Sequence, residues 1–304
     1  MREIGRQTFE RALVLSGMAE LLSRRSRPTR LVLAYHNIVP TGTAPSGDLS
    51  LHLPQEEFAM QLDMLQRHVR VVSLAELLDD ASATEERLVA ITFDDAYLGA
   101  VTAGVKELRA RGLPATMFVT PKFLGGRAFW WDALASRRGL ETEVRTHCLD
   151  DCAGDDLAVR TWATSVGYPI TEPASFALTA TELQLDSALD YPRLSLASHT
   201  WSHPNLTRIS DAQLTFELTR SLSWLMDRYG SRVGSWIAYP YGLTDSNVER
   251  FALSAGYSAC FRVNGGWWPR LAPRQSSLPR LNVSAGLSID GFSLRLAGLF
   301  CPKG

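Results

Sequence analysis

The chain has 304 residues, 45% hydrophobic and 21% charged, enough for one large α/β domain or two small ones of ordinary globular composition. A formal net charge of −1 argues against a nucleic-acid binder, which would carry a basic stripe. Four cysteines (Cys148, Cys152, Cys260 and Cys301) are too few and too scattered for a disulfide scaffold. His147, Cys148 and Cys152 would make half a zinc site, but no second ligand pair lies nearby in sequence.

Residues 1–30 carry apolar side chains at Phe9, Leu13, Met18 and Leu21-Leu22, the pattern of an amphipathic helix, here expected to pack on the main domain. Peripheral contact with a membrane surface is a second use for such a face. Glu20 and Arg24-Arg25 interrupt the apolar run, so no secretory signal is read, no stretch is long enough to span a bilayer, and the expected location is the cytoplasm. The first strand, LVLAYH, ends at His36. A Gly/Pro/Ser/Thr-rich loop leads to a helix marked by Phe58, Leu62 and Leu65. Ser73 with Glu76 starts another helix. LVAITFDD is a strand, and a helix over Ala96–Arg111 follows, closed by Gly112 as C-cap. PATMFVT is again a strand. From about 121 to 192 the period is lost; this stretch reads as an insertion with helices near Asp155–Val166 and Thr181–Leu189. Order then resumes with LSLASHT, a helix from Ser210 to Tyr229, SWIAYPYG, a helix near 245–255, SACFRV, LPRLNV and a last helix near Ile289–Leu299. Strands alternating with helices imply parallel pairing, and seven or eight such units favour a closed or nearly closed barrel over 31–304.

Functional groups of parallel α/β barrels sit where strands end. Those positions hold His36, Asp94-Asp95, His199 with His203, and Tyr239-Pro240-Tyr241-Gly242. Of the four Asp-Asp pairs in the chain, only Asp94-Asp95 follows a run apolar enough to be buried, and buried charges need a partner or a metal. Adjacent residues of an extended segment point in different directions, so one carboxylate is free to bind a metal while its neighbour acts as a base. His199 and His203 are four apart, and a helical turn would bring both imidazoles to one face. Two imidazoles and one carboxylate form the three-ligand set of a catalytic zinc.

Thr92-Phe93-Asp94-Asp95, Ser198-His199-Thr200-Trp201-Ser202-His203 and Tyr239-Pro240-Tyr241-Gly242 resemble, in order and spacing, the first three motifs of the polysaccharide deacetylases, carbohydrate esterase family four. The resemblance covers about 31–283. It implies a distorted (β/α)7 barrel and metal-dependent removal of N-acetyl groups from amino sugars. Asp94 would be the general base, with Asp95, His199 and His203 holding one divalent ion, most commonly Zn2+. Two departures stand out. Many relatives have an arginine at the position of Ala238, and many take their acid histidine from a late strand, whereas this chain has no histidine after Gly242. The layout therefore resembles the circularly permuted branch, the poly-N-acetylglucosamine deacetylases, whose acid comes from an N-terminal Tyr-His strand matched by Tyr35-His36. Arg280 would replace the missing arginine as the brace of Asp94. The backbone N–H of Tyr241 is the expected oxyanion donor. Trp130, Trp131, Trp201, Trp267 and Trp268 are the aromatics able to stack on a sugar, Trp201 being best placed inside the metal motif, with Tyr239 and Tyr241 as further substrate contacts. The partner expected is an N-acetylated carbohydrate. Two alternatives are an acetylated sugar of a specialised metabolite as substrate, and a barrel that binds glycans without turnover.

Overall fold

The computed structural model describes residues 2–17, 30–79, 86–136, 139–268 and 275–300. Cys301 and much of the predicted 1–30 segment therefore lie outside the described residues.

Eight strands form one continuous path: β1 (Arg30–Tyr35), β2 (Leu88–Phe93), β3 (Ala115–Val119), β4 (Leu194–Ser198), β5 (Val233–Ala238), β6 (Ala259–Arg262), β7 (Leu278–Pro279) and β8 (Leu281–Asn282). Their spatial order is β7-β6-β5-β4-β3-β2-β1-β8, and a ninth short strand, Arg70–Val71, pairs with β2 off this path. Every pairing along the path is parallel. The two ends of the path, β7 and β8, are consecutive in the chain with only Arg280 between them. The sheet thus curls into a nearly closed barrel whose seam is a single residue. Across the seam the Arg280 N–H donates to Arg262 O (3.1 Å), and on the β1 side the Val283 N–H donates to Ala34 O (2.9 Å). This is the expected barrel of α/β class.

The strands are buried on both faces, and their side chains alternate between two cores. Leu31, Leu33, Tyr35, Val89, Ile91 and Phe93 face outward against the surrounding helices. Val32, Ala90, Phe118, Ala197, Ala238 and Phe261 face the barrel axis. The axial layer is built mainly from small residues around the Phe118–Phe261 pair, whose rings are 5.8 Å apart. This alternation decides which strand-end residues reach the mouth of the barrel.

Helix α1 (Arg2–Leu15) packs against the last helix. Its buried Glu10 accepts from Ser288 Oγ (2.6 Å), at the N-cap of that helix, Ile289–Leu296. Helix α2 (Gln55–His68) buries Phe58, Leu62 and Leu65. The helix expected over Ala96–Arg111 begins only at Leu98, with a π-helical turn over Ala100–Gly104, because Asp95 and Ala96 are both left-handed (φ 73° and 52°). Between β3 and β4 lie α3 (Trp130–Leu134), α4 (Thr142–Asp150), α5 (Asp156–Ser165) and a short helix, Glu182–Ala188. The last two have side-chain N-caps, Asp155 and Thr181, that the sequence reveals. Helix α3 is buried on all sides and α4 lacks a side-chain cap, so neither has an amphipathic signature to read. After β4 comes α6 (Asp211–Tyr229), opened by a capping box between Ser210 and Gln213. Among the described residues no helix is long and apolar enough to cross a membrane.

Candidate active site

A cavity of about 370 Å³ opens at the C-terminal ends of the strands. His36, Asp94, Asp95, His199, His203 and Tyr241 all line it. The alternation described above explains the convergence. His36 continues the axial series of Val32, and Asp94 that of Ala90. The Ala34–Thr92 and Tyr35–Phe93 register then sets His36 and Asp94 side by side on neighbouring strands. His199 continues the axial series of Ala197.

Backbone strain concentrates here. Among the described residues seven non-glycine residues have positive φ, and five of them are Asp95, Ala96, Thr200, His203 and Tyr241. Left-handed backbone at non-glycine residues costs energy that surrounding contacts must offset, and it clusters at functional sites. It also corrects one expectation. His199 and His203 meet through a loop with left-handed turns at Thr200 and His203, not through a helical turn. The Thr200 Oγ1 that accepts from the His203 N–H (3.0 Å) closes that loop.

The two acids have opposite surroundings. Asp94 is gripped bidentately by Arg280, with Nη1–Oδ1 and Nη2–Oδ2 both 2.7 Å, and Arg280 Nη1 also donates to Thr92 Oγ1 (3.2 Å). Burial alone would raise the Asp94 carboxyl; the Arg280 guanidinium, helped by His199 and His36, outweighs it and holds the group well below the usual carboxylate range. Arg280 is itself fully buried, its guanidinium 5.1 Å from the centre of the Phe118 ring in the axial layer that includes Ala238. The arginine absent at 238 is thus supplied by the barrel seam. Asp95 has no such cation. Its Oδ1 is buried without a hydrogen-bond partner, and burial together with the nearby Asp94 and Asp132 charges pushes its carboxyl well above the usual range.

Around that orphaned oxygen stand two imidazole nitrogens. His203 Nε2 is 3.3 Å and His199 Nε2 3.6 Å from Asp95 Oδ1, and the two Nε2 atoms are 3.1 Å apart. His199 Nδ1–H donates to Ala238 O (2.7 Å), which leaves the Nε2 lone pair turned toward the cluster. Burial lowers His199 to about 4 and His203 well below the ordinary histidine range, so both rings are neutral at neutral pH. Three lone-pair-bearing atoms packed together repel unless a cation lies between them. A tetrahedral zinc with bonds of 2.0–2.1 Å separates its ligand atoms by roughly 3.3–3.4 Å, inside the span of the three distances seen here. Donor chemistry, burial and spacing all fit a divalent ion, and among the described residues this is the one group of three side chains able to hold a metal. At the other candidate, His147 Nδ1 is engaged by Asp151 Oδ2 (2.7 Å) with Cys152 Sγ 3.8 Å from Nε2, and no three-ligand set forms.

His36 is half-buried. Burial lowers its pKa, while the Asp94 carboxylate beside it pulls the other way. Tyr241 stands edge-on to His203 with ring centres 4.6 Å apart, and its hydroxyl accepts from Trp130 Nε1 (3.0 Å).

One expected substrate contact falls elsewhere, and another reaches the cavity only in part. Trp201 packs on the outer helix α6, against Phe216, Arg220 and Trp224, and does not line the cavity. The left-handed Thr200 turns the chain before it, and the Trp201 N–H is bonded to Glu217 O (3.2 Å). Tyr239 touches the cavity, but its ring follows Ile237 into the outer core and its hydroxyl donates to Ser276 O (2.9 Å). Of the tryptophans expected to stack on a sugar, Trp131 does face the Asp95–His199–His203 cluster, 4.8 Å from His203 between ring centres. Arg145 and Leu149 of the insertion, Ser50 and Leu51 of the early loop, and Asn282 complete the walls, and none of them was singled out from sequence. The run Phe129-Trp130-Trp131-Asp132, three aromatics ending in an acid, was the available signal.

A family model described as polysaccharide deacetylase matches residues 81–260. Chitin deacetylase 3 of Cryptococcus neoformans is 39% identical over 57 residues, which is 19% of this chain and 14% of that protein's length. Among solved structures, the Streptococcus pyogenes deacetylase PplD in complex with acetate is similar with a TM-score of 0.62 at 18% identity, over 89% of this chain and 99% of that one. IcaB from Ammonifex degensii is similar with a TM-score of 0.60 at 18% identity, over 89% and 96%. At such identities these structures establish a common fold.

Proposed function

The chain belongs to the polysaccharide deacetylase family, and from that premise we propose that it is a metal-dependent hydrolase that removes the N-acetyl group of an amino sugar in a glycan or glycoconjugate. The observation that carries this reading is the pairing of two buried acids with opposite partners. Asp94 is held ionised by Arg280, and Asp95 is left unpaired among two neutral imidazoles.

Asp95, His199 and His203 would hold the ion, with Zn2+ the best fit to one carboxylate and two imidazoles. An ion held there would supply Lewis-acid chemistry, polarising a carbonyl and lowering the pKa of a water toward about 7. Asp94 is placed to take the proton of the attacking water as the water oxygen bonds to the carbonyl carbon. The Arg280 brace keeps Asp94 charged and aimed, and it also makes Asp94 too weak a base to retain the proton. His36, on the adjacent strand, is the natural next holder and delivers a proton to the departing nitrogen as the C–N bond breaks. The products are acetate and the free amine. The Tyr241 N–H is the donor assigned to the oxyanion. Trp131 and Leu149 line the apolar side of the cavity and exclude water there.

The test uses purified protein and N-acetylglucosamine oligomers. Metal analysis should find one divalent ion per chain, chelation should abolish acetate release, and Zn2+ should restore it. Metal-loaded protein that releases no acetate from any N-acetylated glycan would end this reading.

A further inference from the structure

The two metal-binding imidazoles are not held alike. His199 is oriented by its Nδ1–H bond to Ala238 O, the usual outer-shell arrangement for a ligating histidine. His203 Nδ1 is buried and finds no hydrogen-bond partner. Apart from the Nε2 edge that meets Asp95 and His199, its ring is held by aromatic packing: Tyr241 edge-on at 4.6 Å, Trp131 at 4.8 Å and Phe129 at 5.7 Å between ring centres. What fixes Trp131 therefore helps to fix the angle of His203.

Trp131 is fixed by a buried polar chain. Its Nε1–H donates to Tyr97 Oη (2.8 Å), and the Tyr97 hydroxyl donates to Asp132 Oδ2 (2.6 Å). The other oxygen, Asp132 Oδ1, accepts from His52 Nε2–H (2.8 Å) and from the Asp48 N–H (2.8 Å). His52 is locked in that tautomer because its Nδ1 accepts from Asn37 Nδ2–H (2.9 Å). Asp132, His52 and Tyr97 are each 1% exposed or less. The loop carrying Asp48 reaches Asp132 only because residue 47 is glycine, at φ 83°. A Cβ there would lie 2.3 Å from Asp132 Oδ1 and 2.9 Å from His52 Nε2.

We propose that the Tyr97–Asp132–His52 chain is a positioning device for the metal site, orienting His203 through the ring of Trp131 in place of the hydrogen bond that His203 lacks. It ties the loop wall of the cavity to the insertion wall, so the spacing of both walls and the angle of one metal ligand are set together. None of these three residues touches substrate. The inference rests on the metal-dependent reading above.

Tyr97→Phe keeps the ring and removes the hydroxyl that links Trp131 to Asp132. Gly47→Ala leaves every polar group in place and forces the loop off Asp132. Zinc affinity, measured by chelator competition, should weaken 10–100-fold in Tyr97→Phe, the range for losing an outer-shell partner, and should weaken in the same direction in Gly47→Ala. Excess zinc should restore most of kcat. Tyr191→Phe is the control: it removes another buried tyrosine hydroxyl, bonded to Leu113 O (2.9 Å) and away from the cavity. It should lower the melting temperature of the metal-free protein without changing zinc affinity. Wild-type zinc affinity in both Tyr97→Phe and Gly47→Ala, in a wild type that binds zinc and releases acetate, would overturn the positioning role alone. A wild type that binds no metal would overturn the hydrolase reading and this inference with it.

Discussion

Asp94 and Asp95 are neighbours in sequence, equally buried, and line the same cavity, yet one side of that cavity is electrostatically complete and the other is not. On the arginine side every Asp94 oxygen has a charged donor at 2.7 Å. On the histidine side a carboxyl oxygen and two imidazole nitrogens confront one another with no side-chain cation among them. A folded chain tolerates the first arrangement because it is neutralised internally. It tolerates the second by taking up a proton or a cation from outside, which is why the histidine side reads as a binding site and the arginine side as built-in machinery.

The sharpest way to break this contrast is on the histidine side. His199→Ala should lose the metal, measured by elemental analysis, and acetate release should fall to background. Asp94→Asn comes next. It should keep the metal but lower kcat by about 10²–10⁴-fold, the range for losing a general base. It also leaves the Arg280 charge buried without its partner, at a cost of about 3–5 kcal/mol, readable as a lower urea midpoint. Wild-type turnover in Asp94→Asn would remove it from the mechanism. Arg280→Gln should have a smaller kinetic effect, about 10²-fold, through misplacement of the base. Its diagnostic is pH. The Arg280 pair holds the Asp94 pKa below its unfolded value near 3.9, so the pair's stabilisation is fully present above that value and is lost as pH falls through the depressed folded value. Without Arg280 burial is opposed only by His199 and His36 and Asp94 rises, so the acid limb of kcat/KM should move to higher pH. An unmoved limb would show that another group sets it. The smallest effect is expected for Trp201→Ala, which should leave KM unchanged because its ring lies on α6; a raised KM would return Trp201 to the cavity.

What could be read from the residues follows the same division. The candidate metal cluster and the proposed base sit in short motifs, where a hydrophobic strand ends abruptly in acids or histidines, so the convergence of Asp94, Asp95, His199 and His203 is legible. His36 was legible too, because period-two alternation carries it to the axis with Val32 and Ala34. The same alternation, applied to Ile237-Ala238-Tyr239, sends Tyr239 outward; here the motif outweighed the period in the reading. Trp201 failed for a different reason. A left-handed Thr200 is invisible to periodicity, and it reverses the direction in which the next side chain leaves. Trp131 is legible as one of the tryptophans able to stack on a sugar, but Asp132 is not, because its partners Tyr97 and His52 are about 35 and 80 residues distant and helix α3 is too short and too buried to have a face.

The seam of the barrel has a consequence for how the protein comes to life. A nascent chain that has emerged as far as Arg262 already contains both acids, both ligating imidazoles and the early histidine, and so everything needed to capture a cation. It lacks the one guanidinium that lets Asp94 stay charged in an apolar interior, because Arg280 belongs to the segment that joins the last two strands. Closing the cylinder and neutralising Asp94 thus depend on the same residue, and on the proposed reading a chain cut before Arg280 would keep the candidate metal ligands and lose the partner of its base.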